Sequence, residues 1–122
     1  MSYIDGFVIA VPTANRQKFI DFAREFDPMF IEFGALRVVE TCADDVPHGK
    51  QTDFYRAVAA TEDEFVAFSW IEWPDKATRD AGMKKFMEDP RMDPANPDAL
   101  PMPFDGARMI YGGFASVLDL TA

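Results

Sequence analysis

A chain of 122 residues that is 48% hydrophobic and carries 12 Phe has the material for one domain, residues 1–122, with aromatic surface to spare for a subunit contact or a ligand pocket. Lys and Arg number 12 against 21 Asp and Glu, and the formal charge of −9 repels phosphate backbones and anionic lipid, so no nucleic-acid and no membrane partner is expected. The single cysteine, Cys42, permits no intrachain disulfide, the start of the chain lacks a basic and apolar secretion signal, and the expected compartment is the cytoplasm.

Tyr3 to Val11 reads as a strand, rich in β-branched and aromatic residues and stopped by Pro12. Asn15 to Phe33 reads as a helix, because Phe19, Phe22, Ala23, Phe26, Phe30 and Phe33 fall on one stripe. Pro28 lacks the N–H that would bond to the Arg24 carbonyl, which predicts a kink or break near Asp27. Gly34 is placed to end the element. Leu36 to Ala43 is a second strand. A polar turn region follows from Asp44 to Asp53, and Phe54 to Ala60 reads as extended. After a turn at Thr61 to Glu64, Phe65 to Trp73 is the clearest strand, apolar on both faces and so buried on both.

Asp75 is the expected N-cap of a second helix that ends near Asp89-Pro90. Its buried face should hold Met83, Phe86 and Met87, with Gly82 allowing close approach to the sheet and Arg79 on the same side. Arg91 to Asp105 contains four prolines and reads as a long loop of the kind that covers functional sites. Ala107 to Leu118 is the last strand, where Gly112-Gly113 marks a bulge or a close backbone approach.

Strand, helix, strand, strand, helix, strand is the split βαβ order. It predicts an α+β, ferredoxin-like βαββαβ fold: a four-stranded antiparallel sheet with two helices on one face. Strands one, three and four are apolar on both faces, although a solvent-facing sheet surface should alternate to polar. A second copy of the same sheet is the simplest cover, which predicts a homodimer through the sheet faces.

Several segments carry a resemblance. Gly34-Ala35-Leu36-Arg37-Val38-Val39-Glu40, Asp44-Asp45-Val46-Pro47-His48-Gly49-Lys50, Arg79-Asp80-Ala81-Gly82 and Asp89-Pro90-Arg91-Met92 resemble the YbaA family of small bacterial proteins of unknown function. So do Phe68-Ser69-Trp70-Ile71 with Trp73-Pro74 and, most specifically, the stretch from Pro103-Phe104-Asp105-Gly106 to Gly112-Gly113-Phe114. The resemblance spans nearly the whole chain. It implies membership of the dimeric α+β barrel superfamily, which includes cofactor-independent monooxygenases, isomerase-like enzymes and haem-associated enzymes. It brings no established activity or catalytic residues.

Five residues are candidates for a site. His48, the one histidine, is the natural proton carrier near neutral pH, with Asp44, Asp45 and Asp53 close by to orient it. The plainer reading is a solvated turn residue. Tyr111, beside the glycine pair, is a second catalytic candidate or a pocket wall. Arg79 could hold a substrate carboxylate, with Ser69 and Trp70 as further substrate contacts; the competing reading is an internal Arg79–carboxylate bridge. No metal site is expected, since one His, one distant Cys and scattered carboxylates form no ligand set. Cys42 reads as a small buried hydrophobe. The chain contains no P-loop, GxGxxG, GxSxG or HExxH pattern, and no cofactor is expected. A cofactor-free small-molecule enzyme, monooxygenase- or isomerase-like, is the leading reading, and a non-enzymatic small-ligand or protein-binding dimer is the alternative.

Overall fold

The computed structural model describes residues 2–122. Strands Tyr3–Pro12 (β1), Arg37–Cys42 (β2), Glu64–Trp73 (β3) and Ile110–Ala115 (β4) form one antiparallel sheet in the order β2-β3-β1-β4. Helices Arg16–Glu32 (α1) and Lys76–Glu88 (α3) follow β1 and β3, and one helical turn, Phe54–Ala57 (α2), lies between β2 and β3. This is the ferredoxin-like arrangement expected from the element order.

The period-two alternation of β1 and β3 sorts their side chains onto two faces. Ile9, Val11, Ala67, Ile71 and Trp73 point to the side covered by Phe19, Phe26, Met29 and Phe30 of α1 and by Phe86 of α3. Trp73 and Val11 are fully buried there. Against Gly82 of α3 an added Cβ would meet the Trp73 ring at 2.6 Å and the Phe33 carbonyl at 2.7 Å, so only glycine lets the helix sit this close. The close approach at Gly82 is as expected.

Four local expectations are corrected. α1 runs through Pro28 without a break, because Phe26, Met29 and Phe30 on both sides of it are buried in the core and outweigh the lost bond. Met87 is 75% exposed. Gly82 and Phe86 fix which side of α3 faces the sheet, and Met87 lies about 140° round the helix from Gly82 at ~3.6 residues per turn. Phe54–Ala57 is helical rather than extended: Asp53 caps the turn by accepting from the Arg56 amide at 2.8 Å, and it also accepts from the Gly49 amide at 3.1 Å. The last strand is shorter than expected, since Gly106–Arg108 forms a 3-10 turn capped by Asp105.

Gly112-Gly113 interrupts no pairing, so it is an approach site and not a bulge. A Cβ on Gly113 would lie 2.5 Å from both the Arg79 guanidinium and the Tyr3 hydroxyl. The loop after α3 begins with a 3-10 turn, Pro90–Met92, and then runs irregularly to Asp105. Asn15 Nδ2 donates to the Pro103 carbonyl at 2.9 Å and ties that loop down beside the start of α1.

Candidate functional site

Between the helices, the sheet and the loop lies a chamber of about 170 Å³. Its walls are aromatic. Phe22 and Phe26 of α1 are 4.7 Å apart, Phe30 stacks on Phe86 at 4.2 Å, and Phe104 brings the loop into edge contact with Phe19 at 6.1 Å. Met92, Met102 and Met109, with Ile9 and Ile71 from the sheet, add thioether and aliphatic surface to the lining. The stripe of phenylalanines on α1 builds this room, and the proline-rich loop roofs it.

One end of the chamber is polar. Glu40 of β2 is directly opposite Ser69 of β3 on the helix-facing side of the sheet. Ser69 is buried, and its hydroxyl donates to Glu40 Oε2. Asp27 of α1 meets the same Glu40 carboxyl. Burial, together with the hydrogen bond and negative charge of Glu40, pushes the Asp27 carboxyl from its usual 3.8 up to about 9. Asp27 is therefore a neutral acid at physiological pH, with its O–H directed at the Glu40 carboxylate.

Asp27 and Glu40 also face outward. With Arg24, Pro28 and Ile31 they line an open groove between α1 and the β2 edge. The pair thus stands at a doorway, with the aromatic room on one side and solvent on the other. Such an arrangement can donate a proton or hydrogen bond from Asp27, accept one at Glu40, and re-equilibrate with water through the exposed flank of Glu40.

Arg79 has a different set of partners. Its Nη2 donates to Asp5 Oδ1 at 2.9 Å, its Nε donates to both Asp5 oxygens at 3.1 Å, and Nη1 donates to Asp80 at 2.9 Å. Asp5 also accepts from Trp73 Nε1 at 2.9 Å, and the Arg79 guanidinium lies 5.0 Å from the Tyr3 ring centroid. This is the internal Arg79–carboxylate bridge, and Arg79 is not among the residues that line the chamber.

Residues 2–106 match the family described as a protein of unknown function (DUF1428). The chain is 55% identical over 119 residues to the uncharacterized protein YbaA of Escherichia coli strain K12, an alignment covering 98% of this chain and 99% of that one. YbaA of Shigella flexneri matches with the same identity and coverage. The chain belongs to this family. Among solved structures, the crystal structure of a dimeric ferredoxin-like protein from an uncultured marine organism aligns with a TM-score of 0.62 at 10% identity, covering 98% of each chain. That likeness shows the ferredoxin-like fold.

In this YbaA-family chain the sequence candidates fall in four places, Arg79 at its bridge to Asp5 being one. Ser69 and Trp70 line the chamber, and Trp70 also lines the opposite, open face of the sheet. Tyr111 stands 74% exposed on β4, stacked at 6.4 Å on Phe7. His48 is exposed in the 44–53 loop, stacked on Tyr55 at 4.2 Å, with Nδ1 3.8 Å from Asp53 Oδ2. Neither His48 nor Arg79 borders the chamber. Asp27 and Glu40 were missed by the sequence reading. A carboxylate at Asp27, four residues after Ala23 and three before Phe30, is a polar residue on an apolar stripe, and that was the available signal.

Among the described residues, no group of three or more His, Cys, Asp or Glu is arranged to hold a metal ion. No helix among them is long and apolar enough to cross a membrane.

Proposed function

We propose that the chain is a homodimer whose protomers each bind a small apolar molecule in the aromatic chamber, with Asp27 and Glu40 moving protons on it and no cofactor taking part. The observation that carries this reading is the carboxyl pair Asp27 and Glu40, buttressed by buried Ser69, at the polar end of an otherwise apolar room. An apolar pocket with a few convergent polar groups and a carboxyl shifted far from its ordinary range is the combination expected of an acid–base site. Asp27 is the acid, Glu40 the base, Ser69 the residue that orients Glu40, and Trp70 part of the wall.

The dimer part of the reading is supported by the second face of the sheet. Ile4, Val8, Phe68, Trp70, Ile110 and Phe114 surround an apolar hollow of about 640 Å³ there. Phe68 is 44% exposed and Phe114 is 62% exposed. A patch of this kind, on a sheet face that α1 and α3 leave open and the α2 segment covers only around Ala10 and Val66, fits a second copy of itself, and the related fold from the marine organism is described as dimeric.

The test uses two measurements on the intact protein. Side-chain carboxyl carbon NMR should find Asp27 titrating several pH units above ordinary aspartates, with Glu40→Gln bringing it down. Benzene, a probe of the chamber's size, should saturably shift the ring signals of Phe22, Phe30 and Phe104. An Asp27 that titrates near its usual value, with no shift of those rings, overturns the reading.

A further inference from the structure

We infer that the molecule taken by the chamber is an uncharged, single-ring-sized carbonyl compound, and that the pair Glu40 and Asp27 shifts a proton between its α-carbon and a second position by way of the enol. The inference rests on the acid–base reading of the chamber given above. It adds the chemical class of the substrate and the step.

Size comes first. The chamber of about 170 Å³ is close to the ~150 Å³ cavity that holds one benzene, so the ligand is about one ring with a short substituent. Its body must be apolar, because every wall other than the carboxyl end is aromatic, aliphatic or thioether.

The head group follows from what the polar end offers. No Lys, Arg or His lines the chamber among the described residues. Arg79 is committed to Asp5 and Asp80, and Arg91 to Asp89 and Glu32. A carboxylate or phosphate head would meet two carboxyl groups with no cation to balance it, a costly burial. A protonated amine fares poorly for another reason. It brings three donors, while Asp27 is itself a donor when it holds its proton and Glu40 already accepts from Ser69 and Asp27. A carbonyl oxygen brings the one thing the site lacks, an acceptor for the Asp27 O–H.

The step then balances within the site. The Asp27 O–H turns from Glu40 to the carbonyl oxygen. Glu40 takes the α-proton; that C–H bond breaks, its electron pair becomes the C=C bond, the carbonyl π pair moves onto oxygen, and the resulting enolate oxygen accepts the hydrogen bond from Asp27. Glu40 then returns a proton to the same carbon or, in an unsaturated substrate, to the γ-carbon. No oxidant or reductant is consumed. A neutral carboxylic acid facing an oxyanion beside a carboxylate base is a known division of labour for enolisation. The exposed flank of Glu40 on the outer groove lets the abstracted proton exchange with solvent.

Solvent exchange supplies the assay. Cyclohexanone and cyclohex-2-enone, incubated with the full chain in heavy water, should gain deuterium at the α- and γ-carbons above the buffer rate. Glu40→Gln should lower that rate by at least ~100-fold, the usual worth of a positioned base. Asp27→Leu should lower it by a similar ~100-fold, while Asp27→Asn, which keeps a donor, should lose much less. Thermal unfolding of each variant, matched to the parent, separates chemical loss from misfolding, and Ser69→Ala serves as a milder variant that leaves both carboxyls in place. Benzoate should neither compete with cyclohexenone nor shift the Phe22 and Phe30 rings, and benzylamine should bind more weakly than the ketone. Tighter binding of benzoate or benzylamine overturns the inference, as does the absence of any deuteration above buffer. If benzene still enters the chamber and Asp27 still titrates high in that case, the substrate class fails and the acid–base reading survives; if they do not, both fall.

Discussion

Replacing Arg79 with alanine should cost about 3–5 kcal/mol of folding free energy, the range found when one partner of a buried ion pair is removed. Asp5 is 3% exposed, on the central strand β1. Its two oxygens are satisfied by three contacts from the Arg79 guanidinium and one from the buried Trp73 indole. Without Arg79 the Asp5 carboxyl keeps one neutral donor, and the space the guanidinium filled over Tyr3 and Gly113 is left empty. Asp5→Asn should be milder, about 1–3 kcal/mol, because Arg79 keeps Asp80 and reaches solvent while the amide oxygen still accepts from Trp73. The two changes together should cost less than their sum by ~1–3 kcal/mol. Urea unfolding of the parent, both single variants and the double variant measures all four terms, and the Arg79→Ala midpoint in a thermal scan should fall by roughly 10–20 °C. If Arg79→Ala costs under ~1 kcal/mol, the value of an exposed ion pair, the bridge is not structural and the arginine is free for a ligand.

Asp27 should make the parent progressively less stable as pH rises. Its folded value of about 9 lies above its usual 3.8, so the folded state holds the extra proton between those limits, and stability present below about pH 3.8 is lost as pH climbs to about 9. Asp27→Asn should therefore match the parent near pH 4 and exceed it at pH 8 in denaturant titrations; Glu40 from β2 and Arg24 from its own helix are the charged groups that share its surroundings. Glu64 works in the opposite sense. Arg108 and the Thr61 amide hold its carboxyl at about 2, so the stability it lends is present above pH 4.5 and lost as pH falls towards 2. Arg108→Ala should flatten that acid limb of the stability profile. Gly82→Ala should destabilise by ~1–3 kcal/mol through overpacking against Trp73, offset by up to ~1 kcal/mol of helix propensity, as read by urea unfolding. Phe114→Glu, a charge set on the open sheet face, should leave the fold intact and yield a monomer in light scattering; a dimer that persists would place the subunit contact elsewhere.

Much of the site was already partly written in local pattern. The α1 stripe from Phe19 to Phe30 identifies the chamber's wall, the prolines between Arg91 and Asp105 identify a loop free to roof it, and Ser69 stands out as a hydroxyl in an apolar strand. Asp27 carried a signal that Pro28 obscured. The proline drew attention to a kink, whereas burial of Phe26, Met29 and Phe30 keeps the helix whole and holds Asp27 at the chamber's edge. Glu40 carried almost none, since an acidic residue in an edge strand is ordinarily solvated.

The sequence by itself determined the element order, and with it the antiparallel sheet, the two covering helices and the apolar second face, because period and punctuation are local properties of the chain. It also marked Gly82 as a close approach, whereas at Gly112-Gly113 it left a bulge or a close approach open and the unbroken pairing decided for the approach. Pairings between distant residues were decided only by the tertiary structure. Cross-strand register sets Glu40 opposite Ser69, helix docking brings Asp27 to that same carboxyl, and the position of α3 over β1 hands Arg79 to Asp5, 74 residues away. Charge and hydrogen-bond partners are matters of a few ångströms, and no one-dimensional pattern encodes which of 21 acidic residues will meet a given arginine, or which two will be brought together.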